Sequence, residues 1–356
     1  MINKEVLKRF IDAQDSLVIQ QSDFSLSAIF QMVENHSIDT QPHYQRRDRW
    51  SNDKQSALIE SFLLNVPVPP IYLSEDDYGL YSVIDGKQRI TAICDFLSDK
   101  LVLKNLNKFP ELNNYKFSNL PTQIQNALTV RPYIRVTTLL KQSNEELKYE
   151  VFLRLNTGGE KLKAQEIRNV AYSGALNELL FELSENEFFK RKLKITSDKS
   201  TAFKNMDDLE HVLRFFTIGA GWQHGLGNTL SVEMDRFMSR NRNADINSLR
   251  RLFNNSIAAC EAIWGRRAFQ KPNGNNWREQ LISPLYDAEM VAVSNLSENQ
   301  IENLATKSNA VISSTRNLYN DDIDFNKSVS QATNNPASIF KRVSAIIELL
   351  NHHLDN

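Results

Sequence analysis

Cysteine is almost missing from this chain: its 356 residues include only Cys94 and Cys260. Each lies inside an apolar helical pattern, which excludes a secreted disulfide framework and a cysteine-based zinc site and points to a reducing compartment. Glycine (11) and proline (10) are too few for a long flexible linker. A long apolar run is missing from the start, where Lys4, Glu5, Lys8, Arg9 and Asp12 interrupt the apolar residues. That excludes a signal peptide or membrane span there, so a cytoplasmic protein with no membrane partner is expected. An excess of either charge is missing too. The formal net charge is -1, so the chain cannot coat nucleic acid through bulk charge, and any such contact must be local. His36, His43, His211, His224, His352 and His353 form no metal-ligand spacing, and no bound metal site is expected.

What is present is an ordinary globular mixture, 41% hydrophobic and 24% charged, long enough for two domains with separate cores. From Phe24 to about Arg135 short β-type runs mix with short helices. From Ser143 onward nearly every periodic stretch has helical spacing. The expectation is an α+β chain: an extension over residues 1–24, a small mixed domain over 25–140 and an all-α domain over 141–356. Ser51 is suited to cap a helix carrying Leu58, Ile59, Phe62 and Leu63 on one face, followed by strands at Ile71–Leu73 and Leu80–Ile84 with a hairpin loop at Glu75–Gly79 between them, where Gly79 can take a positive φ. Helices are predicted at Glu145–Leu155, Lys163–Tyr172, Met206–Thr217, Leu249–Trp264 and Ser338–Leu354. Pro272 and Gly274 mark Gln270–Asn276 as a surface loop.

The most informative stretch is Tyr81–Cys94, where a β-branched strand passes through Asp85-Gly86 directly into a helix with Ile90, Ile93, Cys94 and Leu97 on its apolar face. The first N–H groups of a helix lack intrahelical acceptors and the helix dipole is positive there, so such a junction favours an anion. Lys87 and Arg89 add charge, and Gly86 lets a ligand approach the backbone. An alternative needs no ligand: Asp85 and Gln88 have the spacing of an acidic capping box. Upstream, Tyr44-Gln45-Arg46-Arg47-Asp48-Arg49-Trp50 gathers arginines whose planar forks match phosphate oxygens. Its alternative is a solvated loop with an arginine paired to Asp48.

In order, these blocks resemble the ParB/sulfiredoxin-like superfamily, in the branch with an Asp-Gly-Gln-Gln-Arg motif that forms the N-terminal half of GmrSD-type modification-dependent restriction enzymes. The motif here reads Asp85-Gly86-Lys87-Gln88-Arg89, with lysine where the family has its first glutamine. Tyr44-Gln45-Arg46-Arg47 and Trp50, then Phe152-Leu153-Arg154-Leu155-Asn156-Thr157-Gly158-Gly159, are similar to two further family blocks, and Gln165–Asn169 and Leu213–Phe216 also fit. The resemblance spans about residue 25 to at least 240. It implies that the turn binds a nucleoside triphosphate, accompanied by Mg2+, and that hydrolysis there is coupled to a separate nuclease in antiphage defence. On that basis Asp85, Gln88 and Arg89 are the expected catalytic residues. Gln45, Arg46, Arg49, Gly86, Lys87, Arg154 and Asn156 are the expected nucleotide-binding residues.

The family's His-Asn-His nuclease pattern is not found in the sequence. The helical half is therefore expected to dock or transmit, and binding without turnover is the alternative to hydrolysis. Basic runs recur at Lys190–Lys194, Arg236–Arg242, Arg250-Arg251 and Arg266-Arg267. If they converge, they offer DNA a local phosphate-binding stripe.

Overall fold

The computed structural model describes residues 2–40, 50–155, 163–172, 174–242, 244–274 and 276–355. The chain divides into two compact units, Met1–Ala171 and Tyr172–Asn356. The architecture is α+β: the first unit holds a small mixed sheet and the second is chiefly helical.

In the first unit the order is α1 (Ile2–Ser16), β1 (Ile19–Ser25), α2 (Leu26–Glu34), β2 (Ile38–Asp39), α3 (Asn52–Leu63), β3 (Ile71–Asp77), β4 (Leu80–Asp85), α4 (Lys87–Leu97), α5 (Thr122–Val130), β5 (Tyr133–Leu139), α6 (Glu145–Leu155) and α7 (Ala164–Ala171). The sheet runs β1-β5-β3-β4-β2, with β1/β5 and β3/β4 antiparallel and β5/β3 and β4/β2 parallel. Residues 1–24, expected as an extension, thus supply most of an edge strand. Ser51 caps α3 as expected, its hydroxyl accepting the Lys54 N–H. The β3–β4 connection is tighter than the predicted loop, because β3 continues to Asp77 and Gly79 turns the chain at φ +75°.

One core of Ile29, Ile59, Ile71, Val83, Ile90, Ile93, Phe96, Ile134 and Val136 fixes β4 and α4 against the rest of this unit. Each of those side chains is essentially inaccessible, and removing one large aliphatic group from such a core costs about 2–5 kcal/mol. Helices α6 and α7 pack on each other and on β4, so the boundary between the units falls well after the change of periodicity near residue 140.

The second unit continues with α8 (Ala175–Ser184), α9 (Glu187–Lys192), α10 (Thr201–Asn205), α11 (Asp207–Gly221), α12 (Leu230–Arg240), α13 (Ile246–Trp264), β6 (Gln270–Asn273), β7 (Asn276–Leu281), α14 (Ser283–Val293), α15 (Glu298–Thr306), α16 (Ser308–Asp321), α17 (Ile323–Ser330) and α18 (Pro336–Asp355). The expected surface loop at Gln270–Asn276 is instead part of an antiparallel hairpin, so this unit is not purely helical. Pro272, which suggested a loop, faces Trp277 across a register shift, where a missing backbone donor is tolerated. The centre is α14, buried along its length, with Asp287 reaching Arg214 of α11 and Arg342 of α18. No helix among the described residues is long and apolar enough to cross a membrane.

Candidate functional site

The turn after β4 is built from its backbone outward. Val83 and Ile84 are buried strand residues, Gly86 takes φ +100°, and α4 begins at Lys87 with Ile90, Ala92, Ile93 and Phe96 buried. Only glycine suits position 86. A Cβ there would lie 2.9 Å from Ile71 Cγ1 and 3.1 Å from Arg89 Nη2. Gly86 is itself the N-cap of α4, with no side-chain cap hydrogen bond, so the capping-box alternative is not what forms.

Asp85 and Arg89 instead make an ion pair one helical turn apart. Arg89 Nη2 donates to Asp85 Oδ2 at 3.0 Å and to the Pro70 carbonyl at 3.1 Å, while Asp85 Oδ1 accepts the Gly86 N–H at 2.7 Å. The Arg89 side chain is 13% exposed and that of Asp85 40%. The carboxylate therefore keeps a face open to solvent, whereas the guanidinium lies mostly under the turn. Arg89 Nε is buried with no hydrogen-bond partner among the described residues. A buried donor in this condition is costly unless a ligand or water satisfies it.

Gln88 points elsewhere: its Oε1 accepts the Trp50 N–H at 3.0 Å. The described end of the arginine-rich segment is thereby tied to the turn. Gln45, Arg46 and Arg49, named from sequence, lie outside the described residues, as does Asn156. Gly86 is buried and Lys87 half-buried at the head of α4. Arg154 occupies the last turn of α6, exposed, with its Nε donating to Glu150 at 2.7 Å. A cation there complements the helix C-terminus.

Sequence reasoning assigned no role to α7, although its Gln165–Asn169 block fits the family pattern. Gln165, Glu166, Arg168 and Asn169 are all buried, Arg168 completely, with Arg168 Nη1 donating to Gln165 Oε1 at 3.4 Å and Gln165 Nε2 to Asn169 Oδ1 at 2.8 Å. A buried polar helix on β4 is a further feature of this unit that core packing alone does not explain, and its unusual polarity on an internal face was the available signal. Glu60 was also missed. Burial would raise its carboxyl, but N–H donors from Lys108, Asn107 and Phe109 hold it below the ordinary range and fasten the loop after α4.

Cys94, about two turns into α4, carries a thiol that burial, with help from Asp95 and Glu34, pushes up to about 12, which disfavours the reactive thiolate. Among the described residues no group of three or more His, Cys, Asp or Glu side chains is gathered for a metal ion. The chemistry available at the turn is therefore anion binding by a helix head and two cations, beside one accessible carboxylate.

Neither a curated protein nor a solved structure matches the chain. Residues 26–173, which hold the turn, α6 and α7, match the family described as the GmrSD restriction endonuclease, N-terminal domain.

Proposed function

We propose that the Asp85–Arg89 turn binds and hydrolyses a nucleoside triphosphate, in a protein of DNA restriction or antiphage defence that works with a separate nuclease. The observation that carries this reading is the junction of β4 and α4: an accessible carboxylate, a glycine whose position admits no side chain without strain, and a helix head flanked by Lys87 and Arg89, all inside the segment that matches the restriction-enzyme family. The motif order is also the support for grouping this unit with the ParB/sulfiredoxin-like proteins.

In this reading Lys87 and the helix head attract the phosphates and Gly86 lets them approach the backbone. Arg89 holds Asp85 in place and offers its unsatisfied Nε to the ligand, and Gln88 anchors the segment carrying Gln45, Arg46 and Arg49, with Arg46 stabilising developing charge. Arg154 and Asn156 are the further nucleotide-binding residues that the resemblance implies. Asp85 is the carboxylate of the turn that would face a magnesium ion accompanying the triphosphate, and the ion would supply charge neutralisation to the phosphates.

A second reading, nucleotide-gated binding without turnover, is favoured by one observation. Each Asp85 oxygen already accepts one hydrogen bond, from Gly86 or Arg89, which lowers its basicity, and the Lys87 side chain lacks the amide that would orient water. Phosphate release from ATP, GTP, CTP and UTP with magnesium, with and without duplex DNA, separates the two when wild type is compared with Asp85→Ala. Turnover lost in the variant supports hydrolysis; nucleotide bound by calorimetry but never hydrolysed supports gating; and no nucleotide bound at all removes both.

A further inference from the structure

Two of the basic runs in the second unit carry a cation paired with a carboxylate. Arg236 pairs with Glu233 at 3.0 Å, and Arg250 grips Glu182 with two prongs at 2.6 and 2.8 Å, so these are neutralised where they stand. The runs at 190–194 and 266–267 come together, with Lys190 itself paired to Glu185 at 2.7 Å. Arg191, Lys192 and Lys194, at the end of α9, line one concavity of about 400 Å³ with Arg266, from the turn after α13, and Phe188. Lys192 Nζ donates to the Arg266 carbonyl at 2.7 Å and locks the two runs side by side. The Phe188 ring lies beneath Lys192 at 5.0 Å and Arg191 at 5.7 Å.

The positive surface does not stop at that concavity. Arg267 lies over the Trp277 ring of β7 at 5.7 Å, and Arg316 of α16 over the same ring at 5.3 Å. Lys271 of β6 follows, over Tyr319 at 5.1 Å. These charges crowd one another: burial first, then Arg266 and Arg316, push the Arg267 guanidinium down, and burial, with Arg191 and Arg267 adding, brings the Lys192 amine to about 8. Two surface carboxylates stand in the concavity, Glu261, which pairs with Arg191 at 3.1 Å, and Glu279. Like charges gathered this way destabilise the compact state until an anion joins them. Guanidiniums interleaved with aromatic rings suit phosphates beside stackable bases.

We propose that this strip, from Lys194 across Arg266 and Arg267 to Arg316, binds the backbone phosphates of nucleic acid. It draws on α9, the turn after α13, the hairpin and α16, and so gathers cations from four places in the chain, more than one phosphate group needs. With a net charge of -1 on the whole chain, attraction has to be concentrated, and here it is. The strip acts independently of the nucleotide reading at Asp85.

The test is fluorescence anisotropy of labelled duplex and single-stranded DNA with the full chain, across a salt series from about 50 to 200 mM. Wild type is compared with Lys194→Glu/Arg266→Glu, with Arg240→Glu on exposed α12 as a charge control, and circular dichroism checks each fold. The double variant is expected to bind about tenfold or more weakly and to flatten the log–log salt slope by about 2, close to one for each phosphate it no longer neutralises. The control keeps most of the affinity. Equal affinity and slope in the double variant, or no salt-dependent binding by wild type, overturns the proposal. So does displacement of DNA by ATP as effective, per phosphate, as by unlabelled DNA, which marks a mononucleotide pocket. DNA affinity is measured in the absence of nucleotide, and nucleotide binding by the double variant is measured without DNA, so failure of the strip and failure of the nucleotide site read out separately.

Discussion

The Trp50 N–H donates to Gln88 Oε1 at 3.0 Å, so the residue that closes the arginine-rich segment is held by the second residue of α4. Gln88→Ala removes the acceptor. It is expected to raise the hydrogen-exchange rate of the Trp50 amide and to weaken nucleotide binding about fivefold, the worth of one hydrogen bond. Gln88→Glu keeps an oxygen in place and should retain most of the protection. Unchanged exchange in the alanine variant would show that something other than Gln88 holds this segment.

Gly86→Ala meets two penalties, a left-handed backbone at φ +100° and a Cβ 2.9 Å from Ile71 Cγ1. We expect a loss of about 1–3 kcal/mol in urea unfolding of the first unit. Gly79→Ala is the matched comparison, since it shares the positive φ but opens onto empty space. Its cost should be nearer about 1 kcal/mol. Equal losses at both positions would mean that the approach to Ile71 relaxes freely.

Asp287 joins α11, α14 and α18 through Arg214 and Arg342, with all three side chains almost wholly buried. Asp287→Ala strands two guanidiniums and is expected to destabilise the second unit by about 3–5 kcal/mol in thermal unfolding. Burial alone would raise the Asp287 carboxyl, but Arg214 and Arg342 hold it below the ordinary range. Its contribution is therefore present above the unfolded-state pKa and lost as pH falls through the lower folded value. The variant should lack that part of the acid sensitivity.

Glu289 shows the opposite sign. Burial raises its carboxyl to about 8, with Oε2 accepting the Phe269 N–H at 2.8 Å and Oε1 without a hydrogen-bond partner among the described residues. Full stability is present below the unfolded carboxylate pKa and drains away as pH rises toward the folded value. Between about pH 5 and 8 the melting temperature of wild type should fall more steeply than that of Glu289→Gln, which carries no proton to lose. Parallel curves from differential scanning fluorimetry would remove Glu289 as the cause.

The sequence by itself determined the elements whose cause is local. Ser51 before an apolar stripe gave α3, Gly79 between the apolar runs Ile71–Leu73 and Leu80–Ile84 gave the β3–β4 hairpin, and Ile84-Asp85-Gly86 followed by Ile90 and Ile93 gave the strand-to-helix turn. Cap chemistry, positive φ and periodicity act over a few residues and can be read in one dimension. Tertiary structure decided what distant residues do to each other. It sent Gln88 to a backbone N–H 38 positions away rather than into a capping box, folded Arg89 back onto Pro70, and paired β1 with β5 at the sheet edge. The hairpin at Gln270–Leu281 was hidden because burial along β7 skips between Trp277 and Leu281, leaving no alternation to detect. Convergence of the basic runs at 190–194 and 266–267 was likewise undecidable from their composition. A charge pattern records which ions a chain carries, and only packing fixes whether they meet a carboxylate, as Arg250 does, or a backbone carbonyl within another basic run, as Lys192 does at Arg266.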